Sequence, residues 1–574
     1  MESFILKAIV DEINETQLPA KVDRVFSSGT TGIALRFHGK SSRYLLISAD
    51  PTLPYLFVSN RPPSSETKSH SRFRELLDSV LRGADILKVE MENWDRVATI
   101  PMTRIEFAGT QKKTYLIAEI IPHRARILLC DANFTILDVL ASPKLAERTL
   151  EEERNYSRPE MQGKLDPETA DEGVLHQKLE GQDLRSPKTF MGLFEGFGSL
   201  LAKEVIHRSE GNPSLVPGVI RELFRELRES KAPTIFREPA GKKAAALSPI
   251  ALLHLDPMVK ETFVSMNRAA EAYFTEILDE REIRELRKRL FSIIDGKLKK
   301  LEKALAAVSV EREEALGAET WKLYGELLKY QGRVQKDGRA SISCVNYYDP
   351  VQKEIEIPLD PSLSIQANAA RYFKRYAKAR RKFVAAAARK EKLNAERISW
   401  EETRIAAEKS EGRVELSELL EEIAEGGKPA RGESRKAKKP RAKTYCAPRT
   451  FKSGEFTIYV GKSAKGNERL SFGLAKPEDF WLHAAGSPGS HVVVKNPRGL
   501  EELPGEVLER AAALAAYYSK MGGAEKAEVH YTKRKLIRKV KGGEPGRVIL
   551  TKYRTIIARP RLAEPSGTIN HDET

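Results

Sequence analysis

Within Asp479–Asn496, DFWLHAAGSPGSHVVVKN, the sequence sets an acid, an indole and two histidines around a run of small residues. Histidine changes charge near neutral pH and is the commonest side-chain ligand for metals. His483 and His491 are therefore the first candidates for chemistry. Neither has a third His, Cys or carboxylate at a standard ligand spacing, so no metal centre is expected. Two readings of the stretch stay open. In one, Trp481 is core and the histidines hydrogen-bond across the turn. In the other, Asp479, Trp481, His483, Gly489, Ser490 and His491 face a nucleic acid, with the basic run Lys533-Arg534-Lys535 beside them. The sequence contains no Ser/His/Asp or Cys/His constellation and no GxxxxGKS/T phosphate loop. No catalytic residue and no cofactor are expected.

The elements that must position these residues form a domain expected over residues 444–562. Pro488-Gly489 favours a tight turn, with glycine supplying a positive φ. His491–Val494 is β-branched and reads as a strand, as does Phe456–Val460. A helix is expected over Val507–Met521, with Leu508, Ala511, Ala512, Leu514, Ala515 and Tyr518 on its packing side. The rest is basic, with Arg538, Lys539, Lys541, Lys552 and Arg554 interleaved with aromatics.

The whole chain has 574 residues, which suggests three to four domains, and Lys+Arg 97 against Asp+Glu 81 gives a net charge of +16. That excess makes polyanions, nucleic acid first, the natural partners. Cys130, Cys344 and Cys446 are far apart and odd in number, which fits a reducing cytosol without disulfides or structural zinc. The opening MESFILKAIVDEINE has acids inside its apolar run and no cleavage pattern, so it does not read as a signal peptide. No apolar run is long enough to span a bilayer, and no membrane partner is expected.

A multidomain α+β organisation follows. Residues 1–155 alternate strands with a first helix at Phe4–Ile13 and a second at Phe73–Leu81. Residues 156–180 are polar and acidic and read as a linker. Residues 177–235 hold two short helices with Gly196-Phe197-Gly198 at the corner. That corner is either a helix-hairpin-helix offering N–H groups to phosphate or a hairpin used for packing. Across residues 258–425, Ile283, Leu286, Leu290, Ile293, Leu301, Leu305 and Val308 recur at three- and four-residue steps, giving one half of an antiparallel coiled-coil arm. A small module is expected at its tip, at about 338–362. Arg371, Lys374, Arg375, Lys378, Arg380, Arg381 and Lys382 are expected to charge the root of that arm. Residues 426–443 read as a basic linker and 563–574 as a tail.

Asp479-Phe480-Trp481-Leu482-His483, followed by Pro488-Gly489-Ser490-His491-Val492-Val493, resembles the signature of the RNA-binding domain of the NFACT family. That family includes fibronectin-binding-protein-A-like, RqcH-like and NEMF-like proteins. Leu359-Asp360-Pro361-Ser362-Leu363-Ser364 with Asn368-Ala369-Ala370-Arg371-Tyr372-Phe373 is a second match, and the string AAALAAYYSK in the last domain is a third. The resemblance covers nearly the whole chain in order. It implies an N-terminal domain similar to that of formamidopyrimidine-type glycosylases. Those enzymes use a terminal proline amine, and with Met1-Glu2-Ser3 here that chemistry is not expected.

The resemblance further implies a non-catalytic, cytoplasmic ribosome quality-control factor, monomeric on the ribosome. It would bind large-subunit rRNA and a stalled nascent chain, and recruit tRNA, alanyl-tRNA in this family, for untemplated C-terminal tailing. Asp95 and Arg96 match the Asp-Arg motif that holds tRNA, where arginine grips phosphate or stacks on a base. A strand-end ion pair is the structural alternative. Glu119, Ile120 and Ile121 match a second tRNA element. The chain departs there at Ile121-Pro122, where the family has Met-Gly. It departs again at Ser463, Ala464 and Gly466 in a loop where Gly461, Lys462 and Asn467 match. An RNA-binding factor without tailing and a fibronectin-binding adhesin are the alternatives.

Overall fold

The computed structural model describes all residues except 39–41, 64–71, 107–108, 142–154, 160–162, 230–231, 240–242, 332–337, 427–446, 541–542, 544 and 563–574. The readings of the 426–443 linker and the 563–574 tail, and those of Cys446 and Lys541, fall outside the described residues. The chain divides into two compact units, Met1–Glu280 and Arg281–Thr574.

In the first unit, strands Ala20–Ser28, Gly32–His38, Ser42–Ser48 and Tyr55–Ser59 pair in sequence order as an antiparallel meander. Val97–Ile105, Gln111–Glu119, Arg126–Cys130 and Ile136–Ala141 form a second meander. The two-residue strand Asp85–Ile86 pairs with the first strand of each, joining them into one sheet of ten strands, the tenth being Glu90–Met91. Helix α1, Ser3–Thr16, buries Phe4, Ile5, Leu6, Ile9, Val10 and Ile13, the helical spacing that the sequence shows. Helix α2, Arg72–Leu81, ends before Gly83, whose φ of +79° is the left-handed conformation glycine accommodates after a helix.

The acidic stretch expected to be a linker is partly folded. It contains helix α3, Glu172–Leu179, whose Leu175 and Leu179 are buried in the same core. Two apolar residues were enough to dock a helix whose composition reads as solvent. Helices α4, Pro187–Leu193, and α5, Ser199–Ser209, flank the Gly196–Gly198 corner. This corner is a packing joint. Gly196 has φ +72°, and a Cβ there would overlap Trp94. The N–H of Leu200, at the start of α5, donates to the Glu2 carboxylate at 3.0 Å. The donors expected to meet phosphate are thus covered by an anion of the same chain.

After helix α6, Val216–Glu229, comes a three-stranded sheet of Thr234–Arg237, Ala244–Ser248 and Val259–Thr262 that had no counterpart in the sequence reading. Glu204 on α5 is fully buried. It accepts from the N–H groups of Leu253 and His254, from His254 Nδ1 at 2.6 Å and from Arg208 at 2.7 Å.

Helix α7, Met266–Leu316, has its N-terminus capped by Glu12, which accepts from the Met266 N–H and from Ser265 Oγ. A break at Gly317 and helix α8, Glu319–Lys329, follow. Next come the hairpin Ser341–Val345/Glu354–Pro358 and helix α9, Ile365–Glu408, with Ser364 capping through Ala367 N–H. In the second unit α7 and α9 run antiparallel. Lys297 lies over Trp400 at 5.9 Å, Arg312 over Phe383 at 5.2 Å, and Arg404 pairs with Asp295 at 3.3 Å. Leu290 and Ile294 pack against Ala406, Ala407 and, from helix α10, Arg413–Gly426, Leu416 and Leu419.

This register corrects the placement of the cationic run. Tyr372 packs in the tip cluster with Leu328, Cys344 and Ile357, so Arg371–Lys382 charges the tip end of the arm, not its root. The hairpin that the return helix follows is itself the tip, which puts the first turns of α9 there.

The C-terminal sheet has the order Arg449–Ser453, Phe456–Val460, Val492–Val494, Phe480–Ala484, Ala527–Lys533 and Arg554–Ala558. Helix α11, Ala464–Arg469, precedes a π turn at Leu470–Leu474, and helix α12, Gly505–Tyr517, covers one face. Phe480 and Leu482 pack beneath α12, while Trp481 faces a second cluster with Leu470, Val493 and Ile537. Burial on both faces explains an apolar run where a half-exposed strand would alternate.

Two outcomes test this account. Gly196→Ala meets both a positive φ and Trp94, so it should cost about 2 kcal/mol or more in urea unfolding of the first unit. The Glu204 carboxyl sits at about 2 against an ordinary 4.5. Burial alone would raise it, and the hydrogen bonds from His254, Leu253 and Arg208 outweigh that. Its contribution is complete above 4.5 and drains away as pH falls toward 2. Glu204→Gln should therefore melt lower than wild type at neutral pH, and the gap should close across that acid range.

Candidate nucleic-acid interface

Asp95-Arg96 lies where a turn enters the strand Val97–Ile105. Trp94 anchors it. The indole stands edge-on to Phe224 with centroids 4.8 Å apart, and its N–H donates to Glu168 at 3.1 Å. Ser3 Oγ donates to the carbonyls of Trp94 and Asp95. Asp95 is buried and accepts from the Arg96 N–H at 2.6 Å, and burial pushes its carboxyl up. The Arg96 carbonyl accepts from Ile120 N–H at 2.7 Å, so the two sequence elements lie side by side.

Arg96 is half-buried. Burial lowers its pKa, with Glu2 and Asp95 opposing. No described residue hydrogen-bonds or ion-pairs with its guanidinium. Its five N–H donors are partly withdrawn from water and make no hydrogen bond to any described residue.

Glu119 differs. It is buried, held by Arg126 through two bonds of 2.5 and 3.0 Å, and accepts from Tyr156 O–H at 3.1 Å. Ile120 is fully buried and Ile121 half-buried. Of this trio, Ile121 has the most accessible surface, and Glu119 touches the site through the residues it holds. The sequence reading missed Arg126 and Tyr156, and also Arg158, which bonds Glu92 at 2.7 Å and Thr99 at 3.3 Å. Tyr156 and Arg158 fell in what read as a linker. No local pattern links them to the strands they serve.

In the C-terminal domain the structure favours the interior reading. Trp481 is 1% exposed and donates to Ser471 Oγ at 3.0 Å. The same Ser471 hydroxyl lies 2.7 Å from His491 Nδ1, so one side chain bridges both rings. Burial pushes His491 well down and His483 to about 4. His483 is half-buried, and its Nε2 has no hydrogen-bond partner.

Asp479 accepts from Lys476 N–H, Lys495 Nζ and Asn496 N–H at 2.8, 2.9 and 3.0 Å. Gly489 and Ser490 are buried against the end of α12. A Cβ on Gly489 would come within 2.7 Å of Ser519 Cβ, so close approach explains this glycine. The positive φ belongs to Gly486, at +60°. Asp479, Trp481, Gly489, Ser490 and His491 are therefore not a surface, because each is used to close the turn.

Lys533 and Lys535 pair with Glu478 at 3.0 and 2.8 Å, and Arg534 donates to the Ser471 carbonyl. Exposed aromatic–basic character lies instead at Tyr553, 49% exposed and 4.4 Å from the His530 ring, beside Lys552 and Arg554. Among the described residues, no three His, Cys, Asp or Glu side chains are grouped to hold a metal ion, and no helix is long and apolar enough to cross a membrane.

The chain thus runs from an N-terminal sheet unit through a long helical arm to a small sheet domain. Residues 2–442 match the model described as NFACT N-terminal and middle domains, and 447–551 match the NFACT protein RNA binding domain. The chain belongs to the NFACT family. It is 28% identical over 569 residues to the Rqc2 homolog RqcH of Bacillus subtilis, covering 96% of this chain and 95% of that one. It is 25% identical over 565 residues to the protein of the same name in Streptococcus pneumoniae, covering 97% and 98%. A solved C-terminal part of the fibronectin/fibrinogen-binding protein of Streptococcus suis is 25% identical, covers 49% of this chain and 96% of its own, and superposes with a TM-score of 0.36.

The interior reading of the motif makes a prediction. Trp481→Ala should cost about 3–5 kcal/mol and show in calorimetry as a lowered melting transition of the C-terminal domain.

Proposed function

We propose that this protein is a ribosome-associated quality-control factor that binds obstructed large subunits carrying peptidyl-tRNA. It recruits aminoacyl-tRNA, alanyl-tRNA by the family resemblance, for untemplated tailing of the stalled chain. The observation that carries the tRNA role is Arg96, a half-buried guanidinium with no hydrogen bond or ion pair among the described residues, beside a buried Asp95. A phosphate or a base edge supplies the acceptor that the protein withholds. Near full-length likeness to relatives named Rqc2 homolog RqcH supports the setting.

On this reading the protein is not an enzyme. Peptide-bond formation belongs to the ribosome, and the protein lowers the entropic cost of bringing tRNA to it. The arm, with Arg371–Lys382 at its tip end, serves as a phosphate track on ribosomal RNA.

A factor that binds ribosomes without tailing is the second reading. It is favoured by Glu119, whose carboxylate is committed to Arg126 and Tyr156 and not left for tRNA.

The test is a pull-down of the tagged protein with sequencing of the bound RNA. Large-subunit rRNA with one enriched tRNA is expected, and an unselective tRNA background favours the second reading. Asp95→Ala with Arg96→Ala should remove the tRNA and keep the rRNA. Undiminished tRNA would reject this placement of the site, and absence of rRNA would reject both readings.

A further inference from the structure

The enclosed cations of the C-terminal domain meet carboxylates of the helical arm, all within the second unit. Glu415, Glu418 and Glu422 are spaced along one face of α10. Leu416 and Leu419 bury against α7 and α9. Lys462, 9% exposed, sits 3.0 Å from Glu415 and 3.9 Å from Glu418. Arg449 donates to Glu415 at 3.1 Å and lies over the Tyr518 ring at 4.7 Å. Ser463 Oγ is 2.8 Å from both oxygens of Glu422. From α9, Glu402 accepts from Asn467 at 3.5 Å, and Glu401 lies 3.8 Å from Lys520.

An ammonium and a guanidinium on one carboxylate, Glu415, with a hydroxyl on a second, Glu422, are donors of the kind that hold successive phosphate groups. The position is also tied to the rest of the domain. Asn467 uses its other hydrogen bonds to hold the Gly489 carbonyl and the His491 N–H, so this face is braced by the buried Trp481–His491 turn. Burial pushes the Glu402 carboxyl up to about 8, and its hydrogen-bond partner among the described residues is the neutral Asn467 amide, not a cation.

We propose that Arg449, Lys462 and Ser463 form a phosphate site for an RNA backbone, closed in this conformation by the carboxylate face of α10. The contact is polar, and the desolvation of buried ion pairs offsets most of their attraction, so carboxylate and phosphate are near enough in free energy to exchange. RNA opens the contact by taking the carboxylates' place. The inference rests on the RNA-binding reading of this domain, not on tailing.

The test uses the full chain with Asp95→Ala and Arg96→Ala, so that the first unit's site is silent, and a fluorescent oligouridylate as probe. Glu415→Gln/Glu418→Gln/Glu422→Gln should bind about tenfold tighter than the parent, and adding Lys462→Gln should abolish the gain. Glu302→Gln/Glu313→Gln/Glu421→Gln changes net charge equally at exposed positions and should bind like the parent. Equal tightening in both triple variants, or none in the first, overturns the latch. Failure of every variant to bind RNA at low salt overturns the RNA-binding reading with it. A measurement on the unsubstituted protein covers the case in which the first triple variant does not fold. Saturating oligouridylate should speed amide hydrogen exchange in α10, and slowed exchange there overturns the proposal.

Discussion

The first unit depends on how Trp94 is seated. Its indole is wedged between Phe224 and the Gly196 backbone, and its carbonyl is tied to Ser3. The next two residues are Asp95 and Arg96. Fixing one large aromatic fixes the direction in which a charged pair leaves the strand. The glycine matters as much as the ring, since a side chain at position 196 would push the hairpin off and let the pair move. An uncommitted guanidinium can be held half-buried only if the surrounding backbone cannot relax around it.

Buried and half-buried carboxylates do comparable work elsewhere. Glu2 covers the start of α5, Glu12 the start of α7, and Glu204 gathers two backbone N–H groups, a histidine and an arginine. Asp479 does the same for the turn before its own strand. Each exchanges hydration for donors already fixed in direction, which offsets part of the desolvation; Glu2, with Oε2 lacking a hydrogen-bond partner among the described residues, is still pushed up by burial.

Much of the fold is legible in the sequence. The periodicity of α1 and of the long helices, the Ser364 cap and the β-branched strands are local signals. The Thr234–Thr262 sheet and α3 are not, because their short apolar segments acquire meaning only against a core built from distant residues. At the sites, residue type proved weaker than position. Trp, His, Gly and Ser together suit either an exposed stacking surface or a closed turn, and only Ser471, ten residues before Trp481 and contacting two rings at once, decides between them. Glu119 likewise reads as an acceptor for RNA until Arg126 and Tyr156 are seen beside it.

The same logic bears on how affinity is distributed. A protein carrying +16 that used every cation at once would hold any RNA, anywhere. Here Lys533, Lys535, Lys462 and Arg449 are answered by glutamates, and Arg371 by Asp360, while the Arg96 guanidinium feels the Glu2 and Asp95 carboxylates but has no hydrogen bond or ion pair among the described residues. Pairing lowers general attraction to polyanions without removing the donors, since a phosphate can still displace a carboxylate. Leaving one guanidinium without a hydrogen-bond acceptor does the opposite: its half-buried donors give up water with no bond among the described residues in return. Selectivity in such a molecule comes from which cations are paired, and only the folded chain fixes that.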